Sequence, residues 1–229
     1  MWQQPPADIS LPDRVPIFPL PNLVFFPGTV VPLHIFESRY RRMIQDVLAG
    51  DGVLALTLLK PGWEAHDTDR PPIHPVGCAG RLLEVTNLPE GRFNVRLAGL
   101  ARVRLDEYES LQPYRMARVD LLPEQLPVDG CAEMREARND LLGAYGLLVA
   151  EITGRQSLAL EGARSAPFHA LVNTLSAHLD LPSVLKQELL DVDSVLERSQ
   201  VVARVLRREL MRLSGSKTGV NSTGTPTVH

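Results

Sequence analysis

The first half of the chain is built from short runs in which apolar and polar residues alternate. In 93–97 and 101–105, the two kinds of side chain would point to opposite faces of a strand, leaving one face buried and one in water. The pattern predicts seven strands, at residues 15–20, 30–36, 53–59, 79–85, 93–97, 103–108 and 114–121. Short strands separated by turns indicate a closed or nearly closed barrel, which leaves few strand edges unpaired.

Helical spacing of apolar residues occurs once in the first half and dominates the second. Within 37–49, Tyr40, Ile44 and Val47 recur every three or four residues, and Gly50 follows where a left-handed helix cap is expected. A longer apolar stripe predicts a helix between residues 134 and 152. Three further helices are predicted at 168–179, 182–190 and 194–213, with a connection at 153–166.

Proline and aromatic residues mark the same change of character. Sixteen of the 19 prolines and ten of the 12 aromatic residues lie at or before Pro127. Because proline lacks an amide donor and clashes inside a helix, the first half must consist mainly of strands and turns. We therefore predict an α+β fold, in which a β-barrel is followed by a C-terminal helical bundle. Its expected segments are an N-terminal arm at 1–12, a barrel with one helix at 13–123, a helical subdomain at 124–214 and a flexible tail at 215–229.

Composition and charge narrow the class of protein. The chain has 229 residues, a hydrophobic fraction of 44% and a net charge of −3, which suit a folded protein and give no basic footprint for nucleic acid or an anionic membrane. The most apolar stretch, 15–36, is interrupted by several prolines and cannot form a membrane-spanning helix. Cys78 and Cys131 fit no metal-binding spacing, and no signal peptide opens the chain. These features predict a cytoplasmic protein with reduced cysteines.

No pattern of residues in the chain is typical of a catalytic site. The run GDGVLA at 50–55 matches the dinucleotide-binding spacing G-x-G-x-x-A, but it follows a predicted helix and enters a strand, the reverse of what that motif requires. Phosphate-binding loop, nucleophile-elbow, zinc-protease and paired-cysteine motifs do not occur. We expect no catalysis and no cofactor.

Two groups of polar residues have an alternative interpretation as binding sites. His66, Asp67, Asp69 and His74 share one loop, and a solvated loop is favoured over a metal site because the segment is rich in proline. A set of arginines on neighbouring predicted strands could form a stripe for RNA, but acidic residues are interspersed and aromatic residues for base stacking are lacking. We interpret this set as a solvated sheet face of mixed charge; its members are Arg92, Arg96, Arg102, Arg104, Arg115 and Arg118.

Apolar residues are unusually dense between residues 18 and 36, although turns break the segment. Most of them belong in a barrel core, but the turn at 21–28 cannot hide every side chain. A partly exposed apolar patch beside a helical subdomain is what a peptide-holding groove requires.

Several motifs follow one another in an order that resembles a known family. The runs PIFPL at 16–20, FPGTVVPLHIFESRY at 26–40, PVGCAG at 75–80, GRFNVRLAGLARVRL at 91–105 and PYRMARV at 113–119 are similar to the N-terminal domain of the ATP-dependent protease Lon. The resemblance covers roughly residues 13–213. It implies a PUA-like β-barrel followed by a helical bundle. The ATPase and Ser–Lys peptidase domains of the family have no counterpart in the chain, so we do not expect proteolysis.

In Lon this domain is thought to recognise unfolded or tagged substrates, so the resemblance implies a non-catalytic binding module that holds a polypeptide or a protein partner. We expect apolar contacts and backbone hydrogen bonds to hold it in a groove between barrel and helices. The candidate binding residues, chosen for apolar density, are Phe25, Phe26, His34, Phe36 and Tyr40. No metal, nucleic-acid or membrane partner is expected. The alternatives are an RNA-binding PUA-like module and a small-molecule sensor that uses the same groove.

Overall fold

Strands occupy the first half of the described chain, and α-helices occupy the second half. One α-helix (Ser38–Ala49) lies among the strands. The computed structural model describes residues 10–65, 70–153 and 158–218. The strands are β1 (Arg14–Leu20), β2 (Val30–Ile35), β3 (Val53–Leu58), β4 (Val76–Asn87), β5 (Phe93–Tyr108) and β6 (Arg115–Leu121). The helices are α1 (Ser38–Ala49), α2 (Ala132–Thr153), α3 (Leu158–Ser165), α4 (Phe168–His178), α5 (Ser183–Asp191) and α6 (Val195–Thr218). A six-stranded sheet followed by helices confirms the predicted α+β class.

Five of the strands close into a ring. β1 pairs with β3 and β6, β3 pairs with β4, β4 with β5, and β5 with β6. The β1–β3 pairing is parallel and the other pairings are antiparallel. β2 is not part of this closed ring of pairings and extends the barrel wall by pairing with the first part of β5. Because β4 occupies one edge of β5, strands β2 and β6 share its other edge in succession.

Apolar side chains of different sizes fill the interior of the ring. One buried cluster draws its members from all five ring strands: Val15, Ile17, Val53, Ala55, Ala79, Val103, Leu105 and Ala117. Small and large residues together suit the narrow interior of a small barrel. Helix α1 packs its buried side chains into a second cluster, which also contains residues of β3, β4 and β5.

Strand β5 is longer than predicted. The predicted strands at 93–97 and 103–108 are one continuous strand of 16 residues, so the described chain has six strands and not seven. The register with β4 shifts between Ala79 and Gly80, which disturbs the alternation of side chains without ending the strand. A Cβ atom at Gly99 would lie 2.3 Å from the carbonyl oxygen of Phe26. Glycine is therefore required where the connection between β1 and β2 crosses β5.

Three predictions in and around the helices were wrong. Helix α3 lies within the segment predicted as a connection. Helix α6 continues to Thr218, into the predicted tail, and residues 1–9 and 219–229 lie outside the described residues. Gly50 has a φ of −110°, so it is not left-handed; Gly52, with a φ of 72°, takes that conformation. Where the boundary between barrel and bundle falls stays a prediction.

The barrel and the bundle are joined by packed apolar side chains. Val24, Phe26, Leu58 and Val76 belong to the same buried cluster as side chains of α2, α4, α5 and α6. Core residues therefore fill this part of the region between barrel and bundle, in which a groove was predicted.

A buried arginine crosses the same contact region. Arg102 on β5 is 1% exposed, and its guanidinium donates to the carbonyl oxygens of Leu190 (2.7 Å) and Asp191 (3.2 Å) and to the carboxylate of Asp193 (2.7 Å). These acceptors lie at the C-terminal end of α5, where a positive charge is favourable because the last carbonyl groups of a helix carry partial negative charge. The interpretation of this arginine as part of a solvated sheet face was wrong. Arg115, at 7% exposure, is a second exception.

Replacing Arg102 by alanine is expected to lower the free energy of unfolding by about 3 kcal/mol, because three acceptors lose a charged donor and one of them, the carbonyl of Leu190, is buried. Arg104 lies on the same strand with its side chain exposed, and Arg104→Ala should change that free energy by less than about 0.5 kcal/mol. Urea denaturation of both variants measures the difference. Equal, small effects would contradict the role given to Arg102.

Two glycine substitutions should act in opposite directions. Gly99→Ala should destabilise the protein by about 2 kcal/mol, since the added methyl group collides with backbone. Gly143 lies inside α2 with nothing within 4 Å of a built Cβ, so Gly143→Ala should stabilise it by about 0.5–1 kcal/mol. Thermal unfolding compares the two variants, and a stable Gly99→Ala protein would show that β5 and the crossing segment can separate.

Candidate functional site

The five candidate residues do not lie together. Phe25 and Phe26 are 3% and 0% exposed, and they belong to different apolar clusters, that of α1 and that of the bundle. His34, Phe36 and Tyr40 line a cleft on the surface of the barrel. Phe25 and Phe26 are thus core residues that a ligand does not reach in this conformation.

The cleft forms where β1 continues beyond the start of β6. Strand β6 begins with Arg115, which lies opposite Ile17. The next residues of β1 pair with β3 on one side, and no strand of the described chain pairs with them on the other. The end of β2 and the start of α1 form the facing wall. An open seam of about 390 Å³ therefore remains between β1 and β2.

Most of the cleft lining is apolar. Its apolar and aromatic members are Phe18, Pro19, Leu20, Pro21, Leu33, Phe36, Tyr40, Leu59, Trp63 and Pro71, and its polar members are His34, Glu37, Arg39 and Arg115. Ligand pockets usually have volumes of about 300–1,000 Å³ and combine an apolar lining with a few polar anchors. The cleft has the size and composition to hold an apolar group.

Aromatic rings shape the cleft. The rings of Phe18 and Tyr40 are 4.3 Å apart at an angle of 40°, and both residues are buried. Phe36 is 61% exposed and stacks on His34 with a ring separation of 6.0 Å. Nδ1 of that imidazole lies 2.7 Å from Oδ1 of Asn94, which holds the ring in place. Phe36 thus presents a positioned apolar surface to solvent.

A second hollow, which we call the arginine hollow, adjoins one end of the cleft. It measures about 290 Å³ and is lined by Arg39, Tyr40, Arg70, Gln112, Pro113, Tyr114 and Arg115. Arg115 donates to Glu107 through Nε (2.7 Å) and to the carbonyl oxygen of Pro71 through Nη1 (2.8 Å). The guanidinium of Arg39 lies 4.6 Å from the centre of the Tyr40 ring. The arginines make this end of the cleft electropositive.

Both tyrosines of the arginine hollow are neutral at physiological pH. Burial raises the pKa of Tyr40, although the positive charge of Arg39 acts in the opposite direction. Burial, together with the hydrogen bond that its hydroxyl donates to Asp46 (2.8 Å), raises the pKa of Tyr114 to about 12. The Tyr114 hydroxyl already donates its proton to Asp46, whereas the neutral Tyr40 hydroxyl can serve as a hydrogen-bond donor.

A separate hollow lies on the bundle. It measures about 410 Å³ and is lined by Leu126, Pro127, Asp129, Met134, Arg138, Pro167, Phe168 and His169. None of the five candidate residues is among them. Phe168 is buried and the guanidinium of Arg138 lies 6.0 Å from its ring, so this hollow exposes less aromatic surface than the cleft.

The described residues contain no group of three or more side chains that could hold a metal ion. His66, Asp67 and Asp69 of the proposed loop cluster lie outside those residues. Among the helices of the described ranges, none combines the length and the apolar character that a membrane crossing needs.

Sequence reasoning missed several residues of the cleft. Trp63 follows Gly62 in the loop after β3 and belongs to no strand. A large aromatic residue in a loop is a signal in the sequence that could have indicated a binding surface. Arg39 and Arg115 gave no such signal, because only the closed barrel brings the start of α1 next to the start of β6.

The fold and the cleft define a class of protein: a two-part α+β domain that offers an apolar surface cleft beside a helical bundle. Residues 14–208 match the profile of the ATP-dependent protease La (LON) substrate-binding domain, and the chain belongs to that family. The resemblance stated from the sequence is confirmed. That the barrel is PUA-like stays a prediction.

Individual relatives agree with the family. The Lon protease of Flavobacterium johnsoniae is 29% identical over 207 residues, 89% of this chain and 25% of that protein. Lon protease 2 of Sorangium cellulosum is 29% identical over 206 residues, 86% of this chain and 25% of that protein. This chain thus spans about a quarter of the length of these relatives.

Solved structures share the fold. The N-terminal domain of the Mycobacterium avium complex Lon protease gives a TM-score of 0.65 at 20% identity and covers 85% of this chain and 98% of its own. The Lon N-terminal domain protein from Xanthomonas campestris gives a TM-score of 0.56 at 19% identity, with 83% and 97% covered. At these identities the likeness concerns the fold.

Alanine substitutions should separate core from cleft. Phe26→Ala is expected to lower the free energy of unfolding by about 3–5 kcal/mol, because it leaves a cavity between barrel and bundle. Phe36→Ala removes a largely exposed ring and should cost less than about 1 kcal/mol. Chemical denaturation measures both values. Similar losses for the two variants would mean that Phe36 is packed more tightly than the structure shows.

Proposed function

We propose that the chain is a non-catalytic binding domain whose cleft holds an apolar segment of an unfolded or tagged polypeptide, or of a protein partner. The observation that carries this proposal is Phe36, 61% exposed and stacked on a fixed imidazole at the edge of an apolar cleft. Covering water-exposed apolar surface with a ligand is favourable, because it removes that surface from water. The family description, a substrate-binding domain, supports the same role.

The walls of the cleft favour contacts between side chains. Pro19 in β1 and Pro21 directly after it line the cleft, and Pro32, which lines a neighbouring hollow, lies in β2, which pairs only with β5 in the described chain. Proline has no amide donor, so an added strand would lack hydrogen-bond partners at these positions. The expected backbone hydrogen bonds therefore contribute less than apolar contacts in this proposal.

The proposed binding needs no cofactor and takes place in the cytoplasm. The cleft supplies aromatic, aliphatic and guanidinium groups, so binding requires neither ATP nor a metal ion. We place the protein in the cytoplasm, because Cys78 and Cys131 are both free and a reducing compartment keeps them so.

The structure bears differently on the two alternative functions, RNA binding and small-molecule sensing. RNA binding loses support because Arg102 and Arg115, two members of the proposed stripe, are buried and paired within the protein. A small apolar metabolite is the second candidate, because the volume of the cleft suits one. A metabolite screen by thermal shift separates it from polypeptide binding.

Binding of a reduced and alkylated protein, followed by fluorescence anisotropy without ATP, tests the proposal. Phe36→Gln should raise Kd about five- to thirtyfold, equivalent to about 1–2 kcal/mol of lost apolar contact. Met211 on α6 is 71% exposed, and Met211→Gln is the matched control with an unchanged Kd. The proposal would be contradicted if the parent protein did not bind, or if the two substitutions changed Kd equally.

A further inference from the structure

We propose that the cleft recognises a carboxylate next to the apolar segment and that Arg39 and Arg70 of the arginine hollow bind it. This inference rests on the proposed function and specifies which polypeptide segments the cleft prefers. Its basis is the uneven distribution of charge along the cleft.

The arginine hollow has basic residues in its lining and no acidic ones. Arg39, Arg70 and Arg115 contribute three guanidinium groups, and the remaining lining residues are uncharged tyrosine, glutamine and proline. Glu37 and Glu107 are the carboxylates that pair with these arginines. Three guanidinium groups thus face two paired carboxylates, and Asp46, which accepts from Tyr114 of the hollow, is itself paired with Arg42. An excess positive charge therefore remains beside the apolar cleft.

The three arginines differ in their exposure and in how closely they pair with a carboxylate of the protein. The Arg115 side chain is 8% exposed and pairs with Glu107, so it holds the wall of the hollow in place. The Arg39 and Arg70 side chains are each 41% exposed. Nη1 of Arg70 is 4.0 Å from Glu107, the outer limit for an ion pair. Arg39 pairs with Glu37 at 2.9 Å in an exposed position, where such a pair is weak.

A ligand carboxylate can therefore compete for Arg39 and Arg70 without breaking a buried ion pair. Guanidinium groups bind carboxylates with two parallel hydrogen bonds, which gives direction as well as affinity. The neutral hydroxyl of Tyr40 and the amide of Gln112 offer further donors in the same hollow.

Another hollow that adjoins the cleft lacks this excess. It shares Leu33 and His34 with the cleft, and its charged residues are Glu84 and Arg96. These two form an ion pair at 3.1 Å, so their charges cancel. The asymmetry predicts one orientation, in which the carboxylate lies at the arginine hollow and the apolar side chains lie between Phe36 and Trp63.

An aspartate or glutamate side chain and a chain terminus both supply a carboxylate. Four fluorescent peptides with the same apolar run distinguish these sources: one ends in a free carboxylate, one in an amide, and two amidated peptides carry aspartate or asparagine beside the run. Anisotropy titrations are made at low and at high salt with the full chain, its Arg39→Gln and Arg70→Gln variants, and Arg104→Gln as a charge-matched control outside the cleft.

The proposal expects at least one carboxylate peptide to bind roughly fivefold more tightly than its neutral counterpart. Salt should reduce this preference, Arg39→Gln and Arg70→Gln should each reduce it, and Arg104→Gln should leave it unchanged. Circular dichroism confirms that the variants are folded. Equal binding of carboxylate and neutral peptides, or a preference that both variants retain, overturns this inference while the proposed function stands. Absence of binding by all four peptides overturns both.

Discussion

The close approach of two backbone segments at Gly99 sets the geometry on which the cleft depends. The amide of Gly28 donates to the carbonyl of Gly99 (2.9 Å), and the amide of Gly99 donates to the carbonyl of Thr29 (2.8 Å). A side chain at Gly99 would collide with the Phe26 carbonyl. This contact directs β2 along the first part of β5, so that β6 can use only the later part. The barrel wall is consequently open between β2 and the end of β1.

Both parts of the protein contribute to holding this arrangement. The same crossing segment places Phe25 in the α1 cluster and Phe26 in the cluster shared with the bundle, so its backbone is fixed from two sides. Arg102, close to the register shift between β4 and β5, ties β5 to the end of α5. These buried contacts hold the scaffold, and the exposed Phe36 of the cleft takes no part in them. In the proposed function, binding is assigned to the side chains at the open seam of this scaffold.

The sequence predicted the repeating elements well and the long-range contacts poorly. Proline distribution and alternating patterns located the strands and placed the helices after them, because these signals are local. The length of β5 was missed because Gly99 looks like an interruption until its partner segment is known. Phe25 and Phe26 were proposed as binding residues because apolar density alone cannot separate a core residue from an exposed one. His34, Phe36 and Tyr40 do line the cleft, while Arg115 became part of it only through pairing of β1 with β6.

The central claim is that the seam between β1 and β2 is the surface that binds polypeptide. Amide chemical shifts, followed by NMR while an unfolded polypeptide is titrated into the labelled protein, locate the binding surface directly. The account predicts that the largest changes fall on Phe18, Leu20, 33–40 and Trp63, at the cleft. Changes concentrated at the bundle hollow, in 126–138 and 167–169, or spread evenly over the surface, would contradict it.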